Sequence, residues 1–200
     1  MTYSVLGLDA SMTQTAWAHY REGESKPTYG LFRLPPWGDD EGMYLWQWFE
    51  WLGKLCTELA VTHIFIEDVR FKHKHEETLT QMIASIGLIG QAAIVAHLLT
   101  RRGQPVEFFS VWPRDWRAVF LGAMPKPDGI NPAVWRKMLK DAAIAQCNLR
   151  GWTTDNDNEA DACGIMTYGV CTIDPAFQTR QGPLFRAAEK THDDFVRENR

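Results

Sequence analysis

YSVLGLDASMTQTAWAHYREGESKPTYGLFRL (residues 3–34) divides into three short runs, YSVLGLD (3–9), TQTAWAHY (13–20) and TYGLFRL (28–34). Each is rich in β-formers, and turn residues such as Gly23 and Ser25 separate them, which predicts three consecutive strands in an antiparallel meander. Pro35, Pro36 and Gly38 then end the pattern. A chain that opens this way has one sheet under construction before any helix appears. The later strands decide how that sheet is extended.

After the break, MYLWQWFEWLGKLCTELA (43–60) places Gln47, Glu50, Lys54 and Thr57/Glu58 every three or four residues, which predicts a helix with one narrow polar stripe. Its tryptophans suit packing against a sheet better than base stacking. THIFIEDV (62–69) reads as a buried strand, 77–101 as a long helix and PVEFFSV (105–111) as a fifth strand. Pro113 and Pro132 suit first helical turns, with Asn131 as an N-cap, giving helices near 113–121 and 132–146. A last helix is expected from about Asp157 to Cys171. Three meandering strands followed by strand–helix alternation predict an α/β fold. Its five-stranded mixed sheet is antiparallel first and parallel later, with helices on both faces. That order matches the RNase H-like fold.

The chain has 200 residues, of which 45% are hydrophobic, enough for one compact domain that buries roughly 70% of its unfolded surface. We expect that domain over 1–174 and a polar tail or peripheral helix over 175–200. A net charge of −4 does not announce a polyanion partner. Residues 101–150 nevertheless carry nine Lys or Arg against four acids, so a basic face beside an acidic site is available. Cys56, Cys147, Cys163 and Cys171 have no C-x-x-C spacing and read as idle thiols in a reducing compartment. MTYSVLGLD lacks the basic and apolar regions of a leader, and a cytoplasmic location is expected, in a bacterium or a virus-infected cell. The stretch MIASIGLIGQAAIVAHLL (82–99) is long enough for a bilayer, but Ser85, Gln91 and His97 inside it favour a buried core helix and no membrane.

Three acids stand out. Asp9 closes the first strand, and Glu67 lies in the fourth, on the opposite face from Ile64 and Ile66. A strand carboxylate among apolar neighbours is costly to bury without a cation. The third acid comes from TTDNDNEADACGIMTYG (153–169). In a helix beginning near Asp157, Asp161 shares a face with Asn158 and Asp157, while Glu159 points away and suits the third position of a capping box whose N-cap is Asn156. Ala160, Ala162, Cys163 and Gly164 are small and allow this helix to approach the sheet. Asp9, Glu67 and Asp161 together would form a set of hard oxygen donors suited to Mg²⁺ or Mn²⁺. Asp68 faces away from Glu67 and reads as a structural residue. His73 and His75 lack the partners a zinc site requires.

GLDAS, IFIEDV and NEADACGI resemble, in order and spacing, the three acidic motifs of RuvC-like Holliday junction resolvases. VRFKHKHEETLTQMIASIGLIGQAAIVAHL also resembles the family's central loop and helix, and the likeness covers about residues 3–171. The resemblance implies a Mg²⁺-dependent crossover junction endodeoxyribonuclease with two ions per site, Mn²⁺ being a possible substitute. Asp9 would bridge both ions, with Glu67 and Asp161 on either side and Asn158 completing a shell. Where the family usually has a carboxylate or a histidine, this chain has Asn158, so that position adds no charge and Asp157 is a possible substitute. Arg70, Lys72 and Lys74 around Phe71 suit phosphates and an unpaired base, and the family's corresponding loop reaches the junction centre. Arg114, Arg117, Arg136 and Lys137 are further candidates for phosphate contact. The implied partner is four-way DNA, whose two-fold symmetry asks for a homodimer, with the helix at 77–101 as its natural interface. Other expectations compatible with these residues are an RNase H-fold nuclease for other branched or RNA-containing substrates and a catalytically silent junction binder. A sugar-kinase or actin-like nucleotide binder would need a second domain and glycine-rich phosphate loops.

Overall fold

A computed structural model describes residues 2–36, 38, 40–68 and 76–180, with 76–79 and 178–180 described by backbone alone. The meander forms as expected: β1 (Ser4–Ala10), β2 (Gln14–Arg21) and β3 (Thr28–Arg33) pair antiparallel in sequence order. They are followed by α1 (Glu41–Glu58), β4 (His63–Glu67), α2 (Glu76–Arg101) and β5 (Glu107–Val111). Then come α3 (Pro113–Leu121), α4 (Pro132–Leu149), α5 (Asp157–Ile173) and α6 (Pro175–Arg180). β4 joins β1 in parallel and β5 joins β4 in parallel, so the sheet order is β3-β2-β1-β4-β5. The first strand therefore lies at the centre, where the antiparallel and parallel halves meet.

Side-chain alternation along β1 and β4 sorts the residues onto two faces. Leu6 and Leu8 pair in register with Ile64 and Ile66, and on that face they join Tyr44, Trp48, Leu52 and Cys56 of α1. Leu88, Ala92, Val95, Ala96 and Leu99 of α2 complete the same core. Trp48 is fully buried and donates from Nε1 to Thr15 Oγ1 at 2.8 Å, which satisfies both polar atoms inside the core. Trp51 stacks on Phe32 at 4.4 Å, whereas Trp46 is 53% exposed. Core packing thus accounts for some of the α1 tryptophans and not for all.

The opposite face carries Val5, Gly7 and Asp9 of β1 and Phe65 of β4, and it receives α5. Gly7 makes this possible. A Cβ built on it would lie 2.7 Å from the Ala162 carbonyl oxygen and collide with the Met166 backbone nitrogen, so only glycine permits this approach.

The helix starts follow local chemistry. Asn131 Oδ1 accepts from Ala133 N at 2.8 Å, ahead of Pro132. Asp40 caps α1 through Met43 N at 2.8 Å, and so the helix begins at Glu41, two residues before the start expected from the apolar pattern. α2 departs further from expectation. Of its apolar positions, Ile83, Ile86 and Ile94 are 53%, 49% and 50% exposed, so one face joins the core and another does not. Thr80–Arg101 is long and apolar enough to cross a membrane by length and composition. The described residues divide into two units, one ending at Gly169 and the other beginning at Val170.

Candidate active site

Asp9 and Glu67 are brought side by side by the sheet. Leu8 pairs with Ile66 in the parallel ladder, and one residue further along both strands the two acids emerge on the α5 face. Asp161 comes from α5, directly before the Ala162 carbonyl that abuts Gly7. The start of α5 sets its rotation: Asn156 Oδ1 accepts from Glu159 N at 3.0 Å, and Glu159 Oε2 accepts from Asp155 N at 2.9 Å. Glu159 is thus engaged at the helix start, as expected, although it reaches Asp155 and not the N-cap's own amide. Asp161 is left facing the sheet at 7% exposure.

The electrostatics put the three acids in one neighbourhood. Burial pushes the Asp9 carboxyl well above the usual range, and the charges of Glu67 and then Asp161 push it further, while Lys140 and Arg117 oppose. Asp161 is raised to about 7, first by burial, against the pull of Arg117 and with a further push from Glu67. Glu67 is raised by burial and held back by a hydrogen bond from Trp116 and the charge of Arg117. Each carboxylate is costly to ionise because of its surroundings and because little water reaches it. A positive charge placed among them would relieve that cost.

Two such charges are built in. Arg117 Nη2 of α3 lies 3.8 Å from Glu67 Oε1 and 3.9 Å from Asp161 Oδ2. Lys140 of α4 donates to Asp157 Oδ2 and holds that carboxyl below its usual range. Asp157 is therefore engaged by a lysine, while Asn158 stands three residues before Asp161 on α5. Trp116 Nε1 donates to Glu67 Oε1 at 2.9 Å. Asp9 and Glu67 open onto a cleft of about 510 Å³, shared with Ser11, Met12, Thr13, Asp68, Gln81, Ser85 and Pro113. Asp68 thus lines the cleft that its strand neighbour faces, a position its alternation in the sequence does not suggest.

Among the described residues, no three His, Cys, Asp or Glu side chains converge closely enough to hold a metal ion as they stand. The expected closed ligand set is replaced by a looser one in which Glu67 and Asp161 each turn an oxygen toward Arg117. The donor chemistry still fits a divalent cation. Three carboxylates offer hard oxygen donors in the field of Arg117 and Lys140, and their raised carboxyls mark where a further cation would stabilise most.

Of the expected phosphate-binding residues, Arg117 sits at the carboxylates. Arg114 is exposed and pairs with Asp115 at 3.0 Å, Arg136 is exposed on α4, and Lys137 pairs with Asp141 at 2.8 Å on the same helix. Arg70, Phe71, Lys72 and Lys74, with His73 and His75, lie outside the described residues. Sequence reasoning missed Trp116 and Lys140, which touch the site from α3 and α4.

Two solved structures share this architecture. Thermus thermophilus RuvC in complex with a Holliday junction substrate superimposes with a TM-score of 0.59 at 11% identity, over 90% of this chain and 96% of that one. The chain is RuvC-like in fold. A second Thermus thermophilus RuvC structure agrees, with a TM-score of 0.56 at 13% identity over 90% and 96% of the two chains. No protein-family model and no curated protein sequence matches the chain. The RuvC-like fold is thus shared at 11–13% sequence identity, and the five-stranded sheet with helices around it agrees with the element order read from the sequence.

Proposed function

We propose that the protein is a divalent-metal-dependent, structure-selective endonuclease that resolves four-way DNA junctions by paired phosphodiester hydrolysis. One observation carries the reading: three carboxylates from β1, β4 and α5 occupy a single electrostatic neighbourhood on a RuvC-like fold. Asp9, Glu67 and Asp161 would hold Mg²⁺ ions, with Asn158 as a neutral donor. The bound ions would supply activation of a water and stabilisation of the leaving oxygen in an in-line displacement. Asp9 is central because its carboxyl feels the charges of both other acids. Arg117 and Lys140 are placed to attract a phosphate to this acidic centre, and Arg114, Arg136 and Lys137 extend the positive charge along α3 and α4.

Symmetric cleavage of a four-way junction calls for two such sites. The exposed apolar positions Ile83, Ile86 and Ile94 on α2 support a second copy as the occupant of that face. The test is cleavage of a labelled four-way junction by wild type and Asp9→Asn, with and without Mg²⁺. Wild type should introduce paired nicks only with the metal, and the variant should bind without nicking. Binding without cleavage by the wild type in both Mg²⁺ and Mn²⁺ would identify a silent junction binder. Faster cleavage of flaps or RNA hybrids would move the protein to another substrate class.

A further inference from the structure

Glu67 is held from behind by a buried aromatic side chain. Trp116 is fully buried, and its Nε1 donates to Glu67 Oε1 at 2.9 Å. A buried indole N–H needs an acceptor, and a carboxylate oxygen accepts it more strongly than a neutral group would. Packing fixes the donor. A Cβ on Gly164 of α5 would lie 2.5 Å from Trp116 Cζ3, so the ring rests against α5 at a glycine three residues after Asp161. The following residue, Arg117, places its guanidinium over the same ring, 4.9 Å from the centroid, and beside Glu67 and Asp161. One side chain of α3 therefore touches the helix that carries Asp161 and the strand acid Glu67.

We infer that Trp116 is a positioning residue for Glu67: its indole occupies Oε1 and so leaves Oε2 as the oxygen presented to a divalent cation. This rests on the metal-dependent reading of the site. Loss of a hydrogen-bonding partner behind a ligand typically costs about 10–100-fold in metal affinity.

The test measures Mn²⁺ binding by calorimetry without DNA, so that the readout is not activity. Trp116→Phe keeps most of the buried ring and removes the N–H. It should melt cooperatively and bind Mn²⁺ at least about 10-fold more weakly than wild type. The loss should be strongly non-additive with Glu67→Gln, because the indole acts through that carboxylate, and only weakly so with Asp161→Asn, which shares Arg117 with Glu67. A purely structural Trp116 would instead give losses that add with both. Should Trp116→Phe fail to fold, the indole N–H resonance of Trp116 in the wild-type protein gives the answer. It should shift at the midpoint of a Mg²⁺ titration, and in Glu67→Gln it should be displaced before any metal is added. Equal Mn²⁺ affinity in a folded Trp116→Phe, or an indole signal indifferent to Mg²⁺, overturns the assignment and leaves the nuclease reading standing. A wild type that takes up no Mn²⁺ overturns both.

Discussion

Replacing Gly7 by alanine tests how closely α5 must approach the sheet. The new methyl would sit 2.7 Å from the Ala162 carbonyl oxygen and closer still to the Met166 amide nitrogen. Both are backbone atoms of one helix, so no side chain can rotate away. Ordinary contact begins near 3.4 Å, and α5 would have to retreat by about 0.7 Å or more. Overpacking of this kind costs roughly 1–3 kcal/mol, which for a domain of this size lowers Tm by roughly 2–12 °C. The same displacement moves Asp161 away from Asp9, and a misplacement of about 1 Å at a reacting centre can cost ~10²-fold in rate. Gly53→Ala in α1 is the control, since nothing lies within 4 Å of its added methyl and a helical Gly→Ala change stabilises by up to about 1 kcal/mol. Thermal melts and single-turnover cleavage of a four-way junction report the two effects. A Gly7→Ala protein that melts and cleaves like the control would refute the claim that close helix–sheet contact positions the site.

Asp161→Asn should change the pH dependence of stability in the absence of metal. The folded protein holds the Asp161 proton up to about 7, against an unfolded value of 3.8. The native state therefore binds more protons between these values, and stability falls as pH rises through that window. The difference corresponds to on the order of 4 kcal/mol at about 1.36 kcal/mol per pH unit. Urea unfolding in EDTA should show the variant gaining on wild type from pH 5 to pH 8, whereas a constant gap would contradict the burial argument. Trp48→Phe removes the donor to Thr15 Oγ1 from a closed core, and a loss of about 1–3 kcal/mol in chemical denaturation is expected, with junction binding unchanged. No measurable loss would mean that the Thr15 hydroxyl finds another partner.

What local chemistry determines was legible in the sequence. Period-two and period-three-to-four patterns set the order of strands and helices, Pro113 and Pro132 marked helix starts, and helical geometry marked Glu159 as a helix-start residue. Trp116 and Lys140 were not legible, because their partners Glu67 and Asp157 lie 49 and 17 residues away and neither contact follows from a local pattern. α2 is less buried than its composition suggests, because it is apolar on every face and apolarity alone does not say which face meets the core. The start of α1 precedes its apolar run because the capping residue Asp40 sits ahead of the side chains that signal the helix. The Gly7 contact could have been suspected from a glycine at the middle of a buried strand, a common mark of close backbone approach.

The most direct measurement of the central claim is an anomalous-scattering map from crystals of the wild-type protein soaked in Mn²⁺. Peaks should appear with oxygens of Asp9, Glu67 and Asp161 within about 2.0–2.3 Å, in the range of hard-cation coordination, and they should vanish in Asp9→Asn. Ions bound elsewhere, or no ion at these three carboxylates, would contradict the account.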